Sequence, residues 1–187
     1  MKVLEIALQV AQMLGKEDLV TFLQDGTSVD ITSAKKERQK VVDCVHAVSV
    51  ELAGGLCKLK CEEKFTPQDK RVFFKDFSNK ILSINQVTNL KGEKVFYKLF
   101  PTYIALYDDK PINVCYNYLP NKISLEDEIV VGSTLITSAV FCYGVVAEYY
   151  LISSLYEEAV FWRKKFEESL SRVMMVKNYK IKGRAFV

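Results

Sequence analysis

The side chains that could do chemistry in this chain are few and poorly grouped. His46 is the single histidine among 187 residues, and Cys44 stands two positions before it. Residues two apart on a helix point to different faces, so a Cys–His nucleophilic pair does not form within this segment. His46 therefore reads as a core or interfacial histidine. Cys57 and Cys61 would share a helical face if a helix ran that far, but no further cysteine pair or histidine completes a zinc set. The doublet Gly54-Gly55 lacks the Lys-Ser/Thr of a phosphate loop and does not open a strand-to-helix turn. Carboxylates cluster at Glu126-Asp127-Glu128, Glu157-Glu158 and Glu167-Glu168. At helix starts and on a helix surface, the helix dipole and solvation explain them better than acid–base catalysis does. Glu148 differs, because it sits among Val146, Ala147, Tyr149 and Tyr150 on a largely apolar helix. Exposure to solvent is the expectation, since an unpaired buried carboxylate is costly; burial beside a cation is the alternative. No catalytic, cofactor-binding or metal-binding residue is assigned, no cofactor is expected, and the chain does not read as an enzyme. Function is expected to come from how its surfaces meet other molecules.

Charge points to one such surface. The formal net charge is +3, but residues 163–187 carry eight basic side chains against Glu167 and Glu168. The last 25 residues are thus +6 and the rest of the chain is −3. A basic end on a mildly acidic body suits an anionic partner, either nucleic acid or an acidic protein surface. From Tyr179 the tail alternates basic and apolar residues as far as Val187. It reads either as a strand that adds to a neighbour while its cations meet acids or phosphates, or as a solvated, disordered end.

The elements that must carry these groups follow from periodicity. Apolar residues at Val3, Ile6, Ala7, Val10 and Leu14 predict a helix ended by Gly15. A short helix over Asp18–Gln24 is stopped by Gly26. Thr32 or Ser33 is expected to cap a third helix with the stripe Val41, Val45, Val48 and Leu52. Lys35, Lys36, Glu37, Arg38 and Lys40 should lie exposed at its start, and Gly54-Gly55 should weaken its end. From about Leu59 to Tyr118 the period changes to that of short strands rich in aromatic and β-branched residues. Val95–Leu99 is expected to pair with the strand before it across a Lys91-Gly92 turn, and Asp108-Asp109-Lys110-Pro111 separates the last two strands. Ser124 with Asp127 then predicts a return to helix. Ile136, Ala139, Tyr143, Val146 and Tyr150 predict a stripe on the first long helix of a hairpin. Ser154-Leu155-Tyr156-Glu157 matches a capping box for the second, whose stripe is Ala159, Trp162, Phe166, Leu170 and Val173. The fold class is α+β: N-terminal helices over 1–58, an inserted antiparallel β module over 59–120, a helical hairpin over 121–176 and a basic tail over 177–187.

Ile129–Ala147 runs 19 residues without a charge, enough in length to span a membrane. Six of these are Gly, Ser or Thr and Glu148 follows directly, so a buried core helix and no membrane contact are expected. The five cysteines are odd in number and irregular in spacing, as for reduced thiols in a cytosol.

Two resemblances attach to the hairpin. Small residues at Gly144 and Ala147, then Tyr156, Glu158-Ala159 and an aromatic in the second helix, resemble a tetratricopeptide helix pair. Only one copy is present, whereas a solenoid needs about three. The run Tyr143–Trp162, of the kind YGVxAEYxLxxxxYEEAxxW, resembles phage and prophage head–tail connector (adaptor, or neck) proteins. So do the order of elements, the chain length and the segment Leu99-Phe100-Pro101-Thr102-Tyr103. The chain departs from that pattern at Arg163, where an acid often stands, and at Gly183-Arg184-Ala185-Phe186, where denser arginine and a tryptophan would be expected. The connector resemblance implies a virion structural protein of the neck, assembled in the host cytoplasm as a homo-oligomeric ring under the portal. Its partners would be the portal and tail or neck proteins, with non-specific contact to packaged DNA. The tail residues Lys177, Lys180, Lys182, Arg184 and Phe186 would then bind the portal or a neighbouring subunit. The first resemblance implies instead a small protein-interaction module.

Overall fold

The computed structural model describes residues 1–178, and side chains as far as Val173. Among the described residues the chain forms an α+β fold of five α-helices and two antiparallel sheets. It divides into two units. One comprises Met1–Val48, Ser124–Ile129 and the described residues from Ser133 on; the other comprises Ser49–Ile123 with Val130–Gly132.

The first unit is helical. α1 (Val3–Met13) buries Val3, Ile6, Ala7, Val10 and Ala11, the face its apolar spacing predicts. Gly15 follows at φ +66°, a conformation that favours glycine. α2 (Glu17–Asp25) ends on Gly26 at φ +72°, whose N–H returns to the Phe22 carbonyl. α3 spans Ile31–Gly54 and buries Val41, Val45, Val48 and Leu52. Its cap is neither Thr32 nor Ser33. Asp30 Oδ1 accepts from the Thr32 and Ser33 N–H groups at 3.0 and 3.1 Å, and the carboxylate also suits the positive helix end.

The helix expected at Ser124 does not form. Ser124 N–H donates to Asp127 Oδ2 at 2.7 Å, closing a turn. The chain then runs extended beside Met1–Val3: Val3 N–H meets the Asp127 carbonyl and Ile129 N–H meets the Met1 carbonyl. That pairing takes up the backbone groups a helix would have used. Helix resumes only at α4 (Ser138–Ile152), where Thr137 Oγ1 accepts from Val140 N–H at 3.4 Å. α5 spans Tyr156–Asn178. Its first intrahelical bond runs from Ala159 N–H to Leu155, so Leu155 is the cap. Ser154 stands at φ +60°, outside the helix, and makes the tight turn instead of a capping box.

The second unit holds six strands: β1 (Leu59–Phe65), β2 (Arg71–Phe73), β3 (Lys80–Asn89), β4 (Tyr97–Leu99), β5 (Tyr103–Leu106) and β6 (Ile112–Leu119). They form two three-stranded sheets, ordered β1-β6-β3 and β2-β5-β4. The partnering of Val95–Leu99 differs from expectation. Only its start meets β3, through Val95 N–H and the Val87 carbonyl; β4 itself pairs with β5. β5 is also tied to the approach of β2, because Leu106 N–H meets the Lys70 carbonyl and the Lys70 N–H donates to Asp109. Pro111, which has no N–H to offer a ladder, then opens the way to β6 in the other sheet. Val72, Phe77, Val87, Ile104, Leu106, Ile112, Val114 and Tyr116 make the core of this unit. Asn117 is a buried polar residue between these strands, exchanging both amide bonds with Asn85 at 2.8 and 2.9 Å and donating to Ser83 Oγ at 2.8 Å. Gly132 packs flush on the Cys57–Lys58 backbone, since a Cβ there would fall 2.3 Å from the Cys57 carbonyl oxygen.

Candidate interaction surface

The hairpin α4–α5 carries the features that remain to be explained. α4 was expected to show one apolar stripe. Instead Phe141, Cys142, Gly144, Val145, Val146, Ala147 and Tyr149 are all buried, and Ala139 of the expected stripe is exposed. A helix whose one charge, Glu148, is paired and which is buried along most of its length needs no amphipathic pattern. It is a core helix, and no helix among the described residues is long and apolar enough to cross a membrane. Gly144 lets its neighbours approach closely: a Cβ there would lie 3.0 Å from two ring carbons of Phe166 and 3.1 Å from Cγ1 of Val48. On α5 the expected stripe holds, with Ala159, Phe166 and Leu170 buried and Trp162 and Val173 half-buried.

A polar knot fixes the loop end of α4. Tyr149 hydroxyl donates to Glu37 Oε2, and Lys16 Nζ pairs with the same oxygen at 2.9 Å. Lys40 lies 4.4 Å from the Tyr149 ring centroid and donates to Ser153 Oγ at 2.7 Å. Glu37 and Lys40, expected to be exposed, are therefore half-buried, as is Arg38, whose guanidinium lies over the Phe22 ring. Burial pushes the Glu37 carboxyl up. The hydrogen bonds from Tyr149 and Lys16, with the charges of Lys16 and Lys40, outweigh it and hold the group below its ordinary value. Burial and the Glu37 contact push the Tyr149 phenol up.

Beyond this knot the hairpin exposes apolar surface. Leu151, Ile152, Leu155, Tyr156, Val160 and Phe161 all stand open, Tyr156 at 63% and Val160 at 69% of full exposure. Six exposed apolar side chains in so short a stretch exceed the scattered singles of an ordinary surface and make this end of the hairpin a candidate contact surface. Between the two helices runs a cleft of about 210 Å³, walled by Ala147, Leu151, Ala159 and Val160 and edged by Glu148 and Arg163. Glu148 was expected to face solvent. It is mostly buried and lies 3.6 Å from the Arg163 guanidinium, which also pairs with Glu167 at 3.0 Å. Arg163, the residue at which the chain departs from the connector pattern, is thus the counter-ion of that carboxylate.

The groups weighed for catalysis do not come together. Burial pushes the Cys44 thiol up to about 12, with the Glu148 charge adding to it, so the thiolate is suppressed at neutral pH. His46 Nδ1 is buried without a hydrogen-bond partner among the described residues. All five cysteines are free, and no group of three metal-binding side chains occurs among the described residues. Of the five tail residues assigned to partner binding, Lys177 lies by its backbone in the last turn of α5. Its side chain, with Lys180, Lys182, Arg184 and Phe186, lies outside the described residues. The sequence pointed to that tail, and in the alternative to the hairpin as a whole, without singling out the exposed apolar residues at its end. The signal was present: Leu151-Ile152 and Val160-Phe161 are apolar pairs beside the buried stripe. No family model matches this chain, and no curated protein matches it significantly.

Proposed function

We propose that this chain is a structural subunit of a phage head–tail connector, an adaptor that assembles as a ring and docks on the portal. The observation that carries the reading is the open apolar end of the hairpin, Leu151 to Phe161, inside the run Tyr143–Trp162 that resembles connector proteins. A buried α4 provides a rigid support, the exposed residues supply contact area, and the basic tail supplies charge toward an acidic portal surface or DNA. The work of such a subunit is packing and charge complementarity. The test is whether a portal protein is encoded near this chain and co-purifies with it, with and without residues 177–187. Retention of the portal by the full chain and its loss on truncation support the reading. A virion neck imaged without this chain would refute it.

The cleft between α4 and α5 favours a second reading, a single tetratricopeptide-like hairpin that holds a peptide. Truncation at residue 177 separates the two, because a cleft binder keeps its ligand without the tail.

A further inference from the structure

The outer face of α5 flanks two of the apolar residues of the connector reading, Val160 and Phe161, with charges that this reading does not use. Glu157, Val160, Phe161 and Lys164 follow the spacing i, i+3, i+4, i+7, which gathers them on one side of the helix. All four are exposed, Val160 at 69% and Phe161 at 62%. The neighbouring cations are engaged elsewhere: Arg163 with Glu148 and Glu167, and Lys165 over the rings of Tyr143 and Trp162 at 4.4 and 4.8 Å. Glu157 and Lys164 have no ion-pair partner among the described residues.

We propose that this face binds a second copy of the chain, packed antiparallel about a two-fold axis between Val160 and Phe161. The order acid, apolar, apolar, base is self-complementary only when the two helices run in opposite directions. Val160 then meets the partner's Phe161, and Glu157 meets the partner's Lys164, each contact occurring twice as an isologous interface requires. A parallel pairing would set Glu157 against its own kind and Lys164 likewise. Sliding the axis to lie between Lys164 and Lys165 would gather four lysines and set Phe161 against the partner's Glu168. Of these two registers, the first joins apolar to apolar and acid to base without drawing on Arg163, which Glu148 and Glu167 already hold. The contact spans about two helical turns in each copy, below the roughly 1,600 Å² of a stable interface. The dimer therefore forms at high concentration and dissociates on dilution. The dimer shares Val160 and Phe161 with the surface of the connector reading, and its register rests on Glu157 and Lys164, which that reading leaves unused.

Sedimentation of the full chain from micromolar to millimolar concentration tests it. The expected result is a monomer–dimer equilibrium. Glu157→Lys or Lys164→Glu alone turns two attractions into two repulsions and weakens dimerisation about tenfold. Mixing the two single variants restores it, as does combining both changes in one chain, because opposite charges again face each other. Phe161→Glu abolishes it. These positions are exposed, so circular dichroism should match the parent chain for every variant. A monomer over the whole range would overturn the proposal. So would single variants that associate as well as the parent, or a charge swap that fails to restore association. Portal co-purification of Glu157→Lys, Lys164→Glu and the double variant, which leave every apolar side chain in place, reads the connector proposal separately.

Discussion

Gly144 offers the sharpest test of the packing that supports the hairpin. Adding one methyl group as Gly144→Ala sets two effects against each other. A glycine-to-alanine change within a helix is worth about 1 kcal/mol in favour of the folded state. The new Cβ, however, would lie 3.0 Å from Cε2 and Cζ of Phe166 and 3.1 Å from Cγ1 of Val48. Carbon contacts are favourable from about 3.5 Å, so roughly half an ångström must be found. Phe166 and Val48 are both fully buried, and neither is the loose end of a flexible chain. Overpacking of this kind costs about 1–3 kcal/mol. The steric effect wins, and the variant should be less stable by about 1 kcal/mol net. Urea unfolding followed by Trp162 fluorescence is the assay, because Trp162 is the only tryptophan and its ring lies 5.8 Å from that of Tyr143 on α4. A second variant locates the cause. Phe166→Leu removes the ring that meets the new methyl, so Gly144→Ala made in that background should be neutral or stabilising. The two changes should then show a coupling of about 1–2 kcal/mol. Stabilisation by Gly144→Ala in the parent chain, or simple additivity with Phe166→Leu, would refute the reasoning.

Three further outcomes are expected. The helical unit should lose stability in acid through Glu37: with its folded carboxyl below the ordinary value, its contribution is present above the ordinary carboxylate range and is lost as pH falls through the folded value. Glu37→Gln should flatten the acid limb of a stability–pH profile, and an unchanged limb would count against the knot. Asn117→Ala removes three buried hydrogen bonds and should destabilise the strand unit by about 1–3 kcal/mol, read by denaturation monitored in the far ultraviolet. Burial pushes the thiols of Cys44 and Cys142 up to about 12, so at pH 8 both should resist alkylation in the native chain and react on unfolding. Half-buried Cys61 and Cys115 should be labelled first in a mass-spectrometric time course.

What could be read without the structure was local. The stripe Val41, Val45, Val48 and Leu52, the glycines that end α1 and α2, and the strand-rich middle all follow from repeats of a few residues. Backbone geometry imposes such repeats wherever the chain lies. Even the correct stripe on α5 is a matter of one helix presenting one face. The errors begin where two distant segments compete for the same groups. Asp30 rather than Thr32 or Ser33 caps α3, a choice between adjacent oxygens that only backbone geometry makes. The expected helix at Ser124 gives way because Met1–Val3 offers its backbone to Asp127–Ile129, more than a hundred residues away. β4 pairs with β5, since strand pairing is decided by which hydrogen-bonding edge is free. α4 shows no stripe because its neighbours bury it along most of its length. Glu148 finds Arg163 one helix over, and that encounter turns an expected surface carboxylate into an inner ion pair. Residue type and spacing determined that this chain has helices, strands and a charged end. Tertiary structure alone decided which apolar side chains remain in water, because desolvation depends on everything that packs nearby and not on the residues alongside in sequence.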